Sequence, residues 1–378
     1  MRLHEYEAAD IFQRQGIPVP ERDLASNPDE VQKISEKIGF PVVLKGQVLV
    51  GGRGIAGGIK TAQNPEEASR YSTELFASEI KGLPVRSILV VKKVEVEKEL
   101  YVGITVDGYI GKPVVLVSTE GGMNIEDVAR RSPEKIARLH VDIGHGLFPY
   151  EARGILVNLG LASKELLAVA DILVKLYRVF SNHNALIAEI NPLAVLIGGG
   201  ATAIDAVLDI DDSALFRLGD LLPPDVQRVE NPIELKGREI GVTYVDMDGD
   251  IGIISSGAGL GMATMDIIAQ RLRPANFLET GGGMTEALMY SVMELMMTKE
   301  GLRGIFLNIY GGINPIHLGA QGVVRFLNEH NIQIPVVAKA LGNRQEETWD
   351  ILRSGGVHVV TDAATEKAVE RLIELLEN

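Results

Sequence analysis

The sequence lacks cysteine altogether, and this absence excludes disulfide bonds, thiol catalysis and thiolate metal sites. It also lacks any apolar run that approaches the ~20 residues needed for a transmembrane helix. Its first five residues do not provide the apolar core of a signal peptide. We therefore expect a soluble, cytoplasmic protein with no membrane partner.

Positive charge is in deficit as well. There are 37 Lys and Arg residues against 51 Asp and Glu residues, which gives a formal net charge of -14 at pH 7. This surplus of negative charge repels nucleic acids and anionic membrane surfaces, so we expect neither as a partner. Anionic ligands would have to be held by local cations and by the amino termini of helices.

The length and the distribution of polar residues indicate at least two domains. A chain of 378 residues has room for two or three domains of about 150 residues each, and its hydrophobic content of 46% suffices for real cores. The polar, proline-containing segment 220–232 predicts a linker. We expect one domain over residues 1–228 and a second over residues 233–378.

In the second of these domains, strand patterns alternate with helix patterns. Such alternation predicts a parallel sheet with helices on both faces, and ligands then bind at the carboxyl ends of the strands. Strands are expected near residues 240–254 (as one strand or two), 275–279, 304–309, 335–339 and 357–360.

Helices in the first domain are predicted from apolar spacing and capping residues. Asn27, with Glu30 three residues later, is expected to cap one of them, and Asn64 is expected to begin another. Ser163 is expected to cap a longer one. A further helix is expected over residues 124–139.

A strand-like apolar run that delivers Lys45 leads into a glycine-rich loop. Residues 51–58 include five glycines, so backbone N–H groups could approach a ligand without obstruction by Cβ atoms. Lys45 and Arg53 could then contact a phosphate. The spacing matches neither a Walker motif nor a dinucleotide fingerprint, and an ordinary hairpin turn explains the glycines equally well.

Residues 185–212 form a second informative stretch, in which two strand patterns flank a turn of three glycines. If the hairpin is centred on Gly198, Asn191 faces Asp205, and Glu189 projects from the same face because side chains alternate along a strand. An amide oxygen and two carboxylates on one patch would suit Mg²⁺. The alternative is a solvent-exposed polar face.

Three glycine turns lie at expected strand ends in the second domain, at residues 255–261, 280–283 and 308–315. In the third, Asn314 as helix cap and Pro315 in the first turn would aim a helix amino terminus into a cleft, where an anion would bind. The G-x-G-x-G spacing of the first gives only weak support for a dinucleotide site. Glycines that merely turn the chain are the alternative.

Short motifs also recur in a familiar order along the whole chain. They lie at residues 3–8 (LHEYEA), 45–48 (KGQV), 51–54 (GGRG), 98–101 (KELY), 118–122 (STEGG), 189–193 (EINPL), 214–217 (ALFR), 257–260 (GAGL), 274–278 (PANFL) and 308–313 (NIYGGI). With these motifs the chain resembles the β subunit of succinyl-CoA synthetase, or a close acyl-CoA ligase paralogue. The resemblance implies an α/β fold, in which an ATP-grasp domain is followed by a flavodoxin-like domain.

The resemblance also implies a reaction and a partner. The enzyme would be an ADP-forming succinate–CoA ligase, in which succinate, CoA and ATP (or GTP) react by way of an acyl phosphate and a phosphohistidine. The phosphohistidine and the CoA site would belong to a separate α subunit, while this chain would bind the nucleotide and Mg²⁺. Such an enzyme would serve the tricarboxylic acid cycle as a heterotetramer, with a heterodimer as the alternative.

Position by position, the resemblance implies roles for individual residues. Glu189 would be catalytic, because it would receive the histidine as that residue swings to the nucleotide. Three further groups are implied: nucleotide-binding residues Lys45, Gly52, Arg53, Gly54, Val91, Val94 and Glu99; Mg²⁺ ligands Asn191 and Asp205; and acid-site residues Ser256, Gly312, Ile313 and Asn314.

Departures from the family pattern concentrate at the acid end. Ser256 stands where asparagine is usual, and residues 315–317, which end in His317, replace an arginine, a cysteine and an aspartate. Val207 replaces a lysine, while Leu49 and Ile55 replace a histidine and a lysine near the glycine loop. His317 could contact a carboxylate or only decorate its helix.

Three alternatives to a succinate-specific enzyme stay open on these residues. They are a paralogue that uses another carboxylic acid, a non-catalytic nucleotide-binding subunit, and an ATP-grasp ligase that passes an acyl group to an amine. The three glycine turns of the second domain argue against the last alternative.

Overall fold

The computed structural model describes residues 1–54, 56–219 and 231–377. The chain divides into two compact units, Met1–Arg228 and Val229–Asn378. Most of the predicted linker, including the domain limit at residue 228, lies outside the described residues, and so does Ile55. No helix within the described ranges is long and apolar enough to cross a membrane.

The first unit consists of two large antiparallel sheets with helices packed against them and a two-stranded antiparallel sheet of Glu79–Ile80 and Leu83–Pro84. Its strands are β1 Arg22–Ala25, β2 Val42–Gly46, β3 Ile59–Ala62, β4 Glu79–Ile80, β5 Leu83–Pro84, β6 Ile88–Lys92, β7 Val96–Asp107, β8 Lys112–Ser118, β9 Ile136–His140, β10 Ala185–Leu196, β11 Ala201–Ala203 and β12 Val207–Ile210. Its helices are α1 Glu5–Arg14, α2 Pro28–Ile38, α3 Pro65–Phe76, α4 Ile125–Arg131, α5 Pro149–Asn158 and α6 Ser163–Asn182, with short 3₁₀ turns at Pro133–Lys135 and Asp212–Arg217.

The smaller of the two large sheets has the strand order β1-β6-β2-β3. Val31 of α2 and Leu75 of α3 are buried against Val42 and Leu44 of its strand β2. The larger sheet has the order β11-β10-β7-β8-β9, and β12 also pairs with β10. Helices α1, α5 and α6 share a single apolar core with that sheet.

The helix starts were predicted with mixed success. Asn27 and Asn64 do cap α2 and α3, because their side-chain oxygens accept hydrogen bonds from Glu30 N at 3.0 Å and Glu67 N at 2.9 Å. The prediction for Ser163 was wrong, since the residue before α6 is Ala162 and it makes no side-chain cap.

The predicted helix over residues 124–139 was also wrong beyond its first half. Helix α4 ends at Arg131, and β9 (Ile136–His140) then pairs antiparallel with β8. Pro133 explains the break, because proline disfavours the helical conformation of the residue before it and lacks the N–H that a continuing helix requires.

The second unit is a six-stranded sheet with helices on both faces. Its strands are β13 Thr243–Asp246, β14 Ile251–Ser255, β15 Asn276–Glu279, β16 Gly304–Gly311, β17 Val336–Gly342 and β18 His358–Val359, in the order β13-β15-β14-β16-β17-β18. Its helices are α7 Pro232–Ile240, α8 Ala258–Ala269, α9 Glu286–Met297, α10 Ile316–Glu329, α11 Gln345–Ser354 and α12 Thr365–Glu377.

This architecture confirms the predicted parallel sheet, apart from one edge. All neighbouring strands are parallel except β13, which pairs antiparallel with β15. One face packs against α9 and α10 through residues such as Val292 and Val323, and the other packs against α8 and α12 through Ile268 and Leu372. The carboxyl ends of β14, β15, β16 and β17 therefore form one edge of the sheet.

Helix α7 was not predicted, although the sequence carries its signals. Asn231 caps the helix, because its side-chain oxygen accepts a hydrogen bond from Ile233 N at 2.8 Å. Pro232 occupies the first turn, and Gly241 ends the helix in the left-handed region with φ 85°. The asparagine and the proline were attributed to the linker instead.

Gly342 provides a test of the backbone packing at the strand ends. Its φ is 117°, and an added Cβ would lie 2.2 Å from the carbonyl oxygen of Gly311 on the paired strand. We expect Gly342→Ala to lower the free energy of unfolding by about 2 kcal/mol or more, because strain and a backbone clash combine. Chemical denaturation measures this change.

Gly259 in α8 is the matched control, since nothing lies within 4 Å of the Cβ that would be added there. We expect Gly259→Ala to leave the stability unchanged or to raise it by less than about 1 kcal/mol. Equal losses in the two variants would contradict the proposed clash.

Candidate functional site

The first unit contains a cleft of about 750 Å³. Its walls come from β2 and the glycine-rich loop that follows it, from the start of the chain, from the loop at residues 122–126, and from the hairpin of β10 and β12. The glycine-rich loop connects the antiparallel pair β2 and β3, so it is a hairpin loop and lines the cleft as well. Gly52 and Gly57 adopt φ values of 73° and 78°, which explains why glycine is needed there.

The predicted register of the second hairpin is confirmed. Glu189 pairs with Val207 in β12, and Leu193 pairs with Ala203 in β11. Both pairs centre the hairpin on Gly198, and the same register places Asn191 opposite Asp205. Glu189, Asn191 and Asp205 all line the cleft.

A buried carboxylate, Glu5, holds the predicted phosphate-binding cations. Lys45 Nζ donates to Glu5 Oε1 at 2.6 Å and to the carbonyl oxygen of Ile204 at 2.6 Å. Arg53 Nη2 donates to Glu5 Oε2 at 2.7 Å and to Asp205 Oδ1 at 3.0 Å. The side chains of Glu5, Lys45 and Arg53 are buried, whereas Asp205 is 25% exposed.

Burial and charged neighbours set the pKa values of this cluster. Burial raises the pKa of the Glu5 carboxyl, but Lys45 and Arg53 outweigh that effect and hold the pKa below its ordinary value. At Asp205, burial and the charge of Glu5 raise the pKa above its ordinary value despite the two cations. Glu5 is therefore the firmly ionised member, and Asp205 is the carboxyl that accepts a proton more readily.

Glu189 is oriented by a tyrosine on the neighbouring strand. Tyr101 Oη donates to Glu189 Oε2 at 3.0 Å. Gly103, which pairs with Glu189, leaves the space that this contact needs, because an added Cβ would lie 2.4 Å from Tyr101 Oη. Burial raises the pKa of Glu189 above its ordinary value, and the hydrogen bond from Tyr101 opposes that rise.

Asn191 is fixed by the loop across the cleft. Gly122 N donates to its Oδ1 at 2.8 Å, and its Nδ2 donates to the carbonyl oxygen of Met123 at 2.9 Å. The amide oxygen keeps a second lone pair, and Asp205 supplies carboxylate oxygens from the facing strand. Within the described ranges, no group of three or more histidine, aspartate or glutamate residues could hold a metal.

The oxygen atoms of Asn191 and Asp205 suit Mg²⁺ better than they suit a metal whose ligands all come from the protein. Mg²⁺ prefers oxygen ligands, and it often takes one or two protein oxygens while water and substrate phosphates complete its shell. Asn191 and Asp205 offer such a pair of positions.

Three predicted nucleotide-binding residues do not line this cleft. Val91 is buried in β6, where it pairs with Val43, and Val94 follows the end of that strand. Glu99 lies on β7 opposite Ala194, and its Oε2 is near Gly122, 2.8 Å from the position of an added Cβ. Their roles stay predictions.

In the second unit, the predicted acid-site residues lie at the carboxyl end of β14 and just after β16. Ser256 Oγ accepts a hydrogen bond from Tyr310 N at 2.9 Å and lies 3.1 Å from the carbonyl oxygen of Tyr310. Gly312 and Ile313 are exposed, and Ile313 O accepts a hydrogen bond from Asn343 Nδ2 at 3.1 Å.

The prediction that Asn314 caps the next helix was wrong. Helix α10 begins at Ile316, Pro315 precedes it, and no side chain caps it. Asn314 instead lies near Gly282, with its Nδ2 3.2 Å from the position of an added Cβ there. Pro315 occupies the cap position itself, and its side chain has no acceptor to offer the first N–H groups of α10.

His317 is buried, with 6% of its surface exposed, so it does not merely decorate α10. Arg344 Nη1 donates to His317 Nε2 at 2.8 Å. The guanidinium of Arg344, and not the imidazole, is the exposed group of this pair, and it also contacts Glu347 at 2.5 Å.

Comparison with known proteins identifies the family of this chain. Residues 2–195 match the model of an ATP-grasp domain, and residues 254–373 match that of a CoA-ligase domain. The β subunit of a GDP-forming succinate–CoA ligase from Thermus thermophilus is 40% identical over 376 residues, which cover 99% of each chain. The β subunit of an ADP-forming succinate–CoA ligase from Methanocaldococcus jannaschii is 42% identical over 379 residues, which cover 100% of each chain.

The chain belongs to the succinate–CoA ligase β-subunit family. The predicted fold class, an α/β chain with an ATP-grasp domain followed by a flavodoxin-like domain, is confirmed, since an ATP-grasp domain precedes a CoA-ligase domain. The chain is a ligase subunit. A solved ATP citrate lyase from Methanothrix soehngenii shares the fold at 20% identity, with a TM-score of 0.71 and 99% of each chain covered.

Sequence reasoning missed three residues that the structure of this family member brings to the candidate sites. Glu5 and Tyr101 were noted only as members of family motifs, without a role of their own. In the structure Glu5 contacts Arg53, and Tyr101 contacts Glu189. Arg344 was not considered, and no local signal links it to His317. Gly103 was the one available hint, since a glycine within a strand often marks a place where another group comes close to the backbone, here the ring of Tyr101.

The charge of Glu5 should matter for stability. We expect Glu5→Gln to lower the free energy of unfolding by about 3 kcal/mol at neutral pH, because it removes the anion from a buried ion pair and leaves the cations. Urea denaturation measures the loss. Glu165→Gln is the control, since the Lys98–Glu165 pair has side chains 54% and 19% exposed and should contribute less than about 1 kcal/mol.

The loss of stability in Glu5→Gln should depend on pH. The pKa of Glu5 is lowered by folding, so its contribution is fully present above the unfolded-state pKa of about 4.3. That contribution is lost as the pH falls through the lower folded-state pKa. The stability gap between wild type and Glu5→Gln should therefore be constant above about pH 5 and shrink below about pH 4; a gap that widens on acidification would contradict the ionised state of Glu5.

Proposed function

We propose that this chain is the nucleotide-binding subunit of an enzyme that forms succinyl-CoA from succinate, CoA and a nucleoside triphosphate. The terminal phosphoryl group passes from the nucleotide to a histidine of an α subunit and releases the nucleoside diphosphate. It passes next to a carboxylate of succinate, which gives an acyl phosphate. The thiol of CoA then displaces inorganic phosphate and forms the thioester.

The observation that carries this proposal is the arrangement of charges in the cleft. Lys45 of β2 and Arg53 of the glycine-rich loop line one wall, while Glu189, Asn191 and Asp205 of the facing hairpin line the other. Phosphoryl transfer depends on positioning and on neutralisation of phosphate charge, which this arrangement supplies.

At the nucleotide, each residue has a distinct task. Lys45 and Arg53 donate to phosphate oxygens, and backbone N–H groups at Gly52 and Gly54 complete the phosphate loop. The family resemblance assigns the base to the backbone at Val91 and Val94 and assigns the ribose side to Glu99.

Asn191 and Asp205 would hold Mg²⁺, which supplies neutralisation of phosphate charge when it is bound. The fixed amide of Asn191 presents its oxygen without rotation, because Gly122 and Met123 hold both ends of the amide group. Asp205 can turn from Arg53 toward the cleft, since it is the more exposed partner of that pair.

Glu189 receives the histidine of the partner subunit. Its carboxylate is held by Tyr101, so it can accept a hydrogen bond from one imidazole nitrogen and leave the other free to attack phosphorus. At the other end of the reaction, Ser256, Gly312, Ile313 and Asn314 border the acid and the phosphohistidine.

Reconstitution tests the proposal directly. The chain is co-purified with its α subunit, and CoA-dependent release of nucleoside diphosphate is measured over a panel of mono-, di- and tricarboxylic acids, with ATP and GTP compared. We expect succinate to give the highest kcat/KM. Relatives of both nucleotide classes exist, so the assay also assigns the nucleotide.

Two outcomes would contradict the proposal. A different acid that exceeds succinate by more than about tenfold in kcat/KM would reassign the substrate, because the difference would exceed about 1.4 kcal/mol in transition-state binding. Absence of turnover with every acid, together with absence of ATP/ADP exchange by the phosphorylated complex, would make the chain a non-catalytic subunit.

Tyr101 provides a test of the step at Glu189. We expect Tyr101→Phe to slow phosphorylation of the partner histidine by about tenfold or more, because a hydrogen bond to a charged group is worth about 1.5–3 kcal/mol. The nucleotide Kd should stay within about twofold of wild type. Rapid-quench measurement of phosphohistidine formation separates the two quantities.

Tyr109, which is 100% exposed in the turn between β7 and β8, offers the matched control. Tyr109→Phe should change neither quantity. A Tyr101→Phe variant that phosphorylates the histidine at the wild-type rate would show that Glu189 needs no support from Tyr101.

A further inference from the structure

The backbone around Glu5 holds this residue in the cleft independently of its contacts with the cations. It is the first residue of α1, where the positive end of the helix dipole favours a carboxylate. The backbone of the preceding residues pairs with β12. Leu3 N donates to Leu208 O at 3.0 Å, and Arg2 forms an antiparallel backbone β-bridge with Asp209. The side chain is only 3% exposed, so Glu5 has little freedom to leave.

The hydrogen bonds of Lys45 and Arg53 within the cluster do not use every N–H group of the two cations. Two of the three N–H groups of Lys45 are taken by Glu5 and by Ile204 O. Arg53 divides its Nη2 between Glu5 and Asp205, and its Nη1 lies 3.4 Å from Gly46 O. Both cations line the cleft, so a ligand can reach their remaining donors.

The formal charges of the cluster balance. Two cations, Lys45 and Arg53, face two carboxylates, Glu5 and Asp205. An incoming phosphate therefore gains a free cation only if one ion pair opens. The pair that opens most easily is Arg53–Asp205, because Asp205 is 25% exposed and its bond to Arg53 is longer, at 3.0 Å.

We propose that Glu5 is a positioning residue for phosphate recognition: it keeps Lys45 and Arg53 in place while Arg53 exchanges Asp205 for a phosphate oxygen of the nucleotide. The proposal rests on the proposed function, because it takes the cleft as the nucleotide site. It assigns to Glu5 no contact with the nucleotide itself.

The test separates phosphate recognition from binding of the rest of the nucleotide. Kd values for ATP, AMP and adenosine are measured calorimetrically for the complete complex with its α subunit, and the guanosine series is run in parallel. The quantity of interest is the ratio of the adenosine Kd to the ATP Kd. We expect Glu5→Gln to reduce this ratio about tenfold or more while the adenosine Kd changes by less than about twofold.

Two outcomes would overturn the proposal. An unchanged ratio in Glu5→Gln would show that the cations need no anchor. Tighter binding of ATP would show that Glu5 competes with phosphate for the cations. Glu165→Gln, which removes one carboxylate from the surface of the same unit, should leave every Kd unchanged.

Glu5→Asp keeps the test decisive if Glu5→Gln folds poorly. The aspartate retains the negative charge, but its side chain is one carbon shorter and cannot span Lys45 and Arg53 as glutamate does. We expect its ratio to stay well below that of wild type even where its melting temperature is close to the wild-type value. A wild-type ratio in Glu5→Asp would show that charge alone suffices, and would overturn the positioning role.

A crystal structure of the nucleotide complex gives an independent readout. We expect Lys45 and Arg53 to remain within hydrogen-bond distance of Glu5, and Arg53 to have left Asp205 for a phosphate oxygen. Cations that have moved away from Glu5 would overturn the proposal.

The two proposals fail in different ways. A wild-type complex that binds neither ATP nor GTP would contradict the proposed function. A wild-type complex that binds one of them through its phosphates, with Glu5→Gln indistinguishable from it, would contradict only the role of Glu5.

Discussion

The cleft of the first unit depends on one buried carboxylate, Glu5, shared by Lys45 and Arg53. Two cations cannot stay charged and ordered in a poorly solvated wall without an anion close by. Glu5 provides that anion from a residue 40 positions before Lys45 and 48 before Arg53. The start of the chain, the strand before the glycine-rich loop and the loop itself are therefore held together by charge as well as by apolar packing.

The part of the site that could be predicted is the part that depends on local rules. A hairpin turn and the alternation of side chains fix which residues of β10 face β12, so the pairing of Glu189 with Val207 followed from the position of Gly198. The parallel sheet of the second unit followed in the same way from strands that alternate with helices. Neither inference needed a contact between distant segments.

The rest required contacts that no spacing encodes. The sequence near Glu5 does not indicate that its side chain contacts Arg53. The sequence near Tyr101 does not indicate that its partner is Glu189, 88 residues later. The errors at α7 and β9 have a different origin. There the local signals existed, but Pro232 and Pro133 were assigned to the wrong element, because proline both begins helices and breaks them.

The balanced charges of this cluster bear on how a chain with a net charge of -14 would bind the polyanionic nucleotide of the proposed function. The charges of Lys45 and Arg53 are balanced by the carboxylates of Glu5 and Asp205. In the proposed exchange, a nucleotide that arrives with its divalent cation would offer Asp205 a new partner, and Arg53 would then pair with a phosphate oxygen. Glu5 cannot take part in such an exchange, because it is buried and has Lys45 to balance. The different exposure of the two carboxylates, 3% and 25%, fits the different tasks that the proposal gives them: Glu5 holds the cations, and Asp205 releases Arg53.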